Sequence, residues 1–304
     1  MEGQIMKKPY GIMPPMFTVW GTDERYDKKA SERYITWLID SGIQSIVPCG
    51  STGENTALML NEQKEVIDHV AKFVGGQIPV YAGSGKYSTV ETLELSVAAK
   101  ESGVDGLMVI LPYYFKPYKE AAMNHIREVG KVTGLPIILY NNPWFAGYEL
   151  TARETKTLKD EGILVGVKAA HGDASRVSDM RSICGDDFIV FYGHDYAALQ
   201  GLAAGADGWL SGFPSAFPKQ CRELQDAILV DKDIIKARKI WNKFLPLVEY
   251  FMDPSVNARV HWLEMLKYAV TYQGVNVGIP RRPLRELAEE AKREMKKPLD
   301  ILLG

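Results

Sequence analysis

Cysteine is scarce in this chain of 304 residues: only Cys49, Cys184 and Cys221 occur, far apart and without CxxC spacing. That excludes a disulfide framework, fits a reducing compartment, and leaves the three as ordinary small apolar residues. Histidine is nearly as rare. His69, His125, His171, His194 and His261 form neither HxH nor HExxH, so the sequence calls for no metal centre. A surplus of charge is missing too, since the net charge is -2 and the basic residues are scattered rather than striped along one face. Nucleic-acid partners are therefore not expected. No apolar run approaches the roughly 18 to 20 residues of a membrane span, and the N-terminus "MEGQIMKKPYGIMPPM" lacks the apolar core of an export signal. The expected location is the cytoplasm.

Apolar residues, by contrast, are plentiful. Hydrophobic residues make up 46% and charged residues 24%, enough for a large core and too apolar for disorder. Eight short apolar or β-branched runs recur, "GIMPPMFT", "QSIVPCG", "IPVYAG", "GLMVILP", "PIILYNN", "LVGVKAA", "FIVFYGHD" and "GWLSGFP", starting near residues 11, 44, 78, 106, 136, 164, 188 and 208. That spacing suits one strand, one helix and two loops per repeat. The stretches between carry helix starts at Ser88 with Glu91 and at Thr151 with Glu154, and glycine stops at Gly103 and Gly134. After Pro218 the strand signals cease and three helical stretches follow, near 233–251, 255–272 and 283–295. The pattern predicts an α/β chain: a (β/α)8 TIM barrel over residues 1–225 with a C-terminal helical extension over 226–304. An open doubly wound sheet is the alternative.

Barrels place their chemistry at the C-terminal ends of the strands. There the runs end in "GSTGEN", "LPYY", "YNNP", Lys168 and "GHD". Lys168 closes an otherwise apolar strand. Alternation sets Gly166 and Lys168 on one face and Val165 and Val167 on the other, so a lysine pointing inward has only a glycine beneath it. The same parity turns Tyr140 toward the mouth. A desolvated lysine amine is a nucleophile able to condense with a keto group as a Schiff base, and the protonated imine is an electron sink. An ion-paired or snorkelling lysine is the plain alternative. A PLP-binding or carbamylated lysine is another, although metal ligands for the latter are lacking. "GSTGE" offers hydroxyls and backbone N–H groups to an anion, or is simply a glycine-rich turn. "AGSGKYST" is no phosphate loop, because Val80 stands where that pattern needs its first glycine. Asp195 either meets substrate hydroxyls or caps the helix beginning "YAALQGL".

These motifs, with "YAGSGKYSTVETLELSVAAKESGVDGLMVILPYYFKP", "YNNP" and "VGVKAAHGD" in order from about residue 10 to 215, resemble the dihydrodipicolinate synthase and N-acetylneuraminate lyase family. The resemblance implies a class I enzyme acting on pyruvate or a longer 2-oxo acid without cofactor or metal. By that resemblance Lys168 forms the Schiff base and Tyr140 relays protons. Ser51 and Thr52 hold the carboxylate, Ser51 also passing protons to Tyr140, and the Leu210 carbonyl lies near the oxo acid. Tyr114 would enter a neighbouring subunit's site, implying a homodimer or homotetramer. Two departures stand out. "YNNPWFAG" places Phe145 where dihydrodipicolinate-forming members carry an arginine, and Ala169, Ala170 and His171 follow the lysine. Phenylalanine cannot clamp a carboxylate, so true dihydrodipicolinate synthesis is not expected. Trp144 and Phe145 would favour an apolar or aromatic distal group if they face the mouth, and are otherwise loop packing. The expected reaction makes or breaks the C–C bond beside a lysine-bound 2-oxo acid. A 2-keto-3-deoxy sugar acid dehydratase and a non-catalytic metabolite-binding relative are the alternatives.

Overall fold

The computed structural model describes residues 8–304; the first seven residues, on which part of the reading of the N-terminus falls, lie outside the described residues. Seven parallel strands form one sheet: β1 (Gly11–Ile12), β2 (Tyr81–Gly83), β3 (Gly106–Ile110), β4 (Ile137–Asn141), β5 (Leu164–Ala169), β6 (Ile189–Tyr192) and β7 (Gly208–Trp209). Their order is β1-β7-β6-β5-β4-β3-β2. The second apolar run, residues 44–50, fills the remaining gap as isolated bridges, Ile46 with Val80 and Val47 with Pro15. Gln44 donates its N–H to the Ile12 carbonyl at 2.9 Å, and Ile46 donates to that of Pro79 at 3.0 Å. The ring is thereby closed and the open-sheet alternative falls. Regular ladder breaks down there because Pro14, Pro15, Pro48 and Pro79 supply no N–H.

Helices follow the strands as the local signals predict. Ser88 caps Thr89–Glu101 by accepting the Glu91 N–H. Thr151 and Glu154 form a full capping box on Ala152–Asp160. Gly134 ends Lys119–Thr133 in the left-handed conformation at φ 64°, which costs glycine little. The boundary expected after residue 225 falls inside the helix Pro218–Leu229.

The extension differs in detail from its sequence reading. Ile234–Met252 matches the first helical stretch. The second is broken into Pro254–Asn257 and Trp262–Tyr272, because the His261 ring accepts the Leu263 N–H and starts a new helix. The last begins at Glu289, six residues later than its periodicity suggests. Glu264 accepts the Arg285 N–H at 3.1 Å and keeps that lead-in segment non-helical.

Two apolar layers result. The larger lies between strands and helices and takes in Val167, Leu139 and Val190. The smaller fills the barrel interior with Met13, Val47, Tyr81, Met108, Ile138, Tyr140, Phe191 and Leu210. Alternation along each strand sorts the residues between the two. No helix among the described residues is long and apolar enough to cross a membrane.

Candidate active site

Register places the two reactive side chains together. Tyr140 on β4 pairs with Lys168 on β5, which pairs in turn with Phe191 on β6. Residues level with one another on adjacent parallel strands share a face, so Lys168 points inward with Tyr140 and Phe191. Its Nζ lies 3.9 Å from the Tyr140 ring centroid, and the residue is only 4% exposed. Among the described residues no carboxylate pairs with it. A second buried lysine shows the contrast: Lys267, 1% exposed, sits 2.7 Å from Glu54 and donates to the Thr18 and Ile279 carbonyls.

Room for the Lys168 stem comes from a different glycine than alternation suggests. A Cβ on Gly193 would stand 2.7 Å from Lys168 Cγ and 3.0 Å from its Cε. Gly166 instead admits the close approach of β6, since a Cβ there would meet the Ile189 carbonyl oxygen at 2.7 Å.

Asn142 organises the phenol. Its Oδ1 accepts the N–H groups of Trp144 and Phe145 at 2.9 and 3.2 Å, starting the short helix Pro143–Ala146. That fixes the amide orientation, so Nδ2 faces Tyr140 Oη at 2.8 Å and donates to it. The phenol oxygen is an acceptor here and keeps its own proton for the cavity. Its hydrogen bond among the described residues is with Asn142, not Ser51.

Ser51 and Thr52 belong to a loop held rigidly from behind. Cys49 and Glu54 flank it at φ 58° and 59°, a conformation most side chains avoid unless their surroundings enforce it. Glu54 supplies that enforcement: its carboxylate takes the Lys267 ammonium, the Trp20 indole N–H at 3.0 Å and the Arg281 N–H at 2.7 Å. Thr18 adds a 2.6 Å hydrogen bond to the Gly53 carbonyl. Among the described residues the N–H groups of Ser51 and Thr52 find no acceptor, and so remain open to an anion.

These side chains line one cavity of about 260 Å³: Ser51, Thr52, Tyr140, Lys168 and Asp195, with Asn142, Trp144, Phe145, His194, Tyr196 and Trp262. Asp195 does cap a helix, but another than the sequence suggests. Its oxygens accept the N–H groups of Gly212 and Phe213 at 3.1 and 3.0 Å, at the start of Gly212–Ala216. Burial raises its pKa to about 6 against those hydrogen bonds. His194 goes the other way, held near 4 by burial and by neighbouring Lys168 and His171. It is a neutral ring at pH 7 whose Nδ1 accepts the Tyr196 N–H at 3.3 Å, leaving Nε2 as the donor.

Two expected residues are not among the side chains lining this cavity. Leu210 packs in the barrel interior in the same cluster as Tyr140, next to the lining residues Ser211 and Gly212. Tyr114 stands 75% exposed, edge-on to Tyr87 and Phe115, and does not reach the cavity of its own chain. Sequence reasoning missed Asn142, Trp262 and the Glu54–Lys267 pair. The second asparagine of "YNNP", two residues from the tyrosine, could have pointed to the first. Nothing local could have found a pairing across 213 positions.

The chain matches the Dihydrodipicolinate synthetase family over residues 8–302. It is 38% identical over 223 residues to the 4-hydroxy-tetrahydrodipicolinate synthase of Thermodesulfovibrio yellowstonii, covering 73% of this chain and 76% of that one. It is 32% identical over 276 residues to the synthase of the same name from Brucella abortus, covering 90% and 92%. Among solved structures, YagE, a prophage protein of this family from E. coli K12 in complex with pyruvate, superposes with a TM-score of 0.89 at 29% identity, covering 97% of this chain and 98% of that one. The chloride-inhibited dihydrodipicolinate synthase from Acinetobacter baumannii, also complexed with pyruvate, gives 0.88 at 30% identity, covering 97% and 99%. With its closed barrel, its buried interior lysine and a family match over almost its whole length, this chain belongs to the dihydrodipicolinate synthetase family of class I aldolases and lyases.

Proposed function

We propose that the protein binds pyruvate, or a 2-oxo acid that releases it, as an imine on Lys168 and makes or breaks the neighbouring C–C bond. The observation that carries this is a buried amine with no ion-pair partner among the described residues, 3.9 Å from the ring of a tyrosine. An amine that no carboxylate holds is free to bond carbon, and in its neutral form it is the nucleophile that condenses with a keto group.

In the cleavage direction the Lys168 nitrogen adds to the C2 carbonyl and water leaves. Tyr140 gives, from the cavity side of its phenol, the proton that lets the oxygen leave as water and the imine stay protonated. The C4 hydroxyl then returns a proton to the Tyr140 oxygen, the C3–C4 electron pair moves into the protonated imine, and the aldehyde departs. The enamine takes a proton at C3, and water frees pyruvate from the lysine. Ser51 and Thr52 hold the carboxylate through their hydroxyls and open N–H groups. Asp195 meets a substrate hydroxyl, and the Leu210 carbonyl backs the oxo acid. A 2-keto-3-deoxy sugar acid dehydratase would need the same imine and a different leaving group.

Phe145 at the cavity wall speaks against an aldehyde partner held there by its carboxylate, since among the described residues lining this cavity no guanidinium replaces the missing one. Exposed Tyr114, Phe115 and Tyr118 form an aromatic surface of the sort that a second copy covers, with Tyr114 reaching the partner's site in a dimer or tetramer. The test is trapping. Borohydride with pyruvate should add mass to Lys168, and Lys168→Ala should lose the label. An intact protein with no adduct at any pyruvate concentration would mean a binding protein rather than an enzyme.

A further inference from the structure

Beside the Lys168 cavity lies a second one of about 380 Å³. Both are walled by Ser51, Phe145 and Trp262, so the two are compartments of one cleft. The second is faced by Ala57, Ile110, Tyr113 and Leu284. Polar side chains also border it, but the charged ones are already engaged. Glu54 is bound to Lys267 and Trp20, and Arg281 to Glu62, the Ala57 carbonyl and the Glu24 carbonyl. His261 spends Nδ1 on the Leu263 N–H, and burial lowers its pKa, so it brings no charge at pH 7.

We infer that this compartment is the distal subsite and that it takes an aryl or similarly flat apolar group, so that the preferred substrate is a 4-hydroxy-4-aryl-2-oxobutanoate or, in reverse, pyruvate with an aromatic aldehyde. This rests on the imine chemistry proposed for Lys168. A polyhydroxylated tail would enter a space whose charged groups are committed to one another, with only Ser51, Asn55 and Thr56 left to meet its hydroxyls, and each hydroxyl buried without a partner costs about 1–3 kcal/mol. An aromatic ring loses nothing there and packs against Tyr113, Phe145 and Trp262. The volume fits a six-membered ring with a substituent, and Asn55 and Thr56 on the same wall are placed to meet a polar one.

The experiment compares pyruvate release by the wild-type protein from 4-hydroxy-2-oxo-4-phenylbutanoate and from 2-keto-3-deoxygluconate. The phenyl compound should have the higher kcat/KM by about tenfold or more. Ala57→Trp, which fills the compartment, should shrink that ratio by a similar factor, with its melting temperature checked alongside. If that variant does not fold, the wild-type ratio alone decides. Equal or reversed kcat/KM values would overturn the aryl subsite, as would a folded Ala57→Trp protein with an unchanged ratio. Borohydride trapping with pyruvate separates the two levels: a labelled Lys168 with a preference for the polyol sinks only the subsite, whereas no label sinks the imine chemistry beneath it.

Discussion

Tyr140 and Lys168 occupy the same level of neighbouring strands β4 and β5, with the ammonium over the face of the phenol ring at 3.9 Å. The ring does two separate jobs. Its face stabilises the cation, and its hydroxyl, accepting from Asn142, keeps a proton for transfer. Tyr140→Phe keeps the first and removes the second. Trapping of pyruvate on Lys168 should survive in this variant but more slowly, while turnover falls by roughly 10²–10⁴. Wild-type turnover in the variant would remove Tyr140 from the proton relay.

The two buried lysines should respond oppositely to removal of their charge. Lys267→Met leaves Glu54 buried without its cation and should cost about 3–5 kcal/mol in urea unfolding. Lys168→Met leaves no stranded partner and relieves a desolvated charge, so stability should be unchanged or higher, with activity lost. A large loss of stability in Lys168→Met would mean that the residue has a structural partner.

Gly193→Ala probes the space around the amine. The new methyl would press on Lys168 Cγ at 2.7 Å, and Ala170 Cα at 3.0 Å leaves it little room to shift. Overpacking of this kind costs about 1–3 kcal/mol, and the displaced lysine should trap pyruvate about tenfold more slowly. Trapping at the wild-type rate would show that the stem can move aside.

Asp195 gives the protein a pH signature. Its pKa in the fold, about 6, lies above the ordinary 3.8. A group with a raised folded pKa lends stability that is complete below its unfolded value and is lost as the pH climbs through the folded one. Ionised Asp195 therefore weighs against the fold at pH 7.5. Asp195→Asn keeps an acceptor for only one of the Gly212 and Phe213 N–H groups, a loss that is the same at every pH, and cannot ionise. Its stability relative to wild type should rise by about 1–3 kcal/mol between pH 4 and pH 7.5. His194, lowered to about 4, acts in the opposite sense: its contribution is present above pH 6.5 and lost as the pH falls through 4. That contribution is common to both proteins and cancels in the comparison, so a flat or falling difference would contradict the assignment.

Asn142→Ala tests the loop. It removes the acceptor for two N–H groups and the donor to the phenol, so about 1 kcal/mol of stability should go with the lost cap. kcat should fall by about tenfold or more, with a smaller change in KM, because the phenol loses its orientation. Equal losses in kcat and KM would point to a general loosening of the cavity.

The sequence by itself determined the elements and their inward faces. Strand and helix signals are local, set by side-chain alternation, caps and glycine stops, and these place Lys168 and Tyr140 inside the barrel before any coordinates are known. It also carried the motifs on which family membership rests. Only the tertiary structure could decide how distant segments close on one another. Lys267 reaches Glu54 from the C-terminal helices, Trp262 joins the cavity wall from the same region, and Gly193, just past the end of β6, provides room for Lys168. Asp195 caps a helix one strand farther on than its neighbours suggest. The reason is physical: pairings of this kind depend on where the closed ring brings its ends, and no property of either partner's neighbourhood encodes that distance.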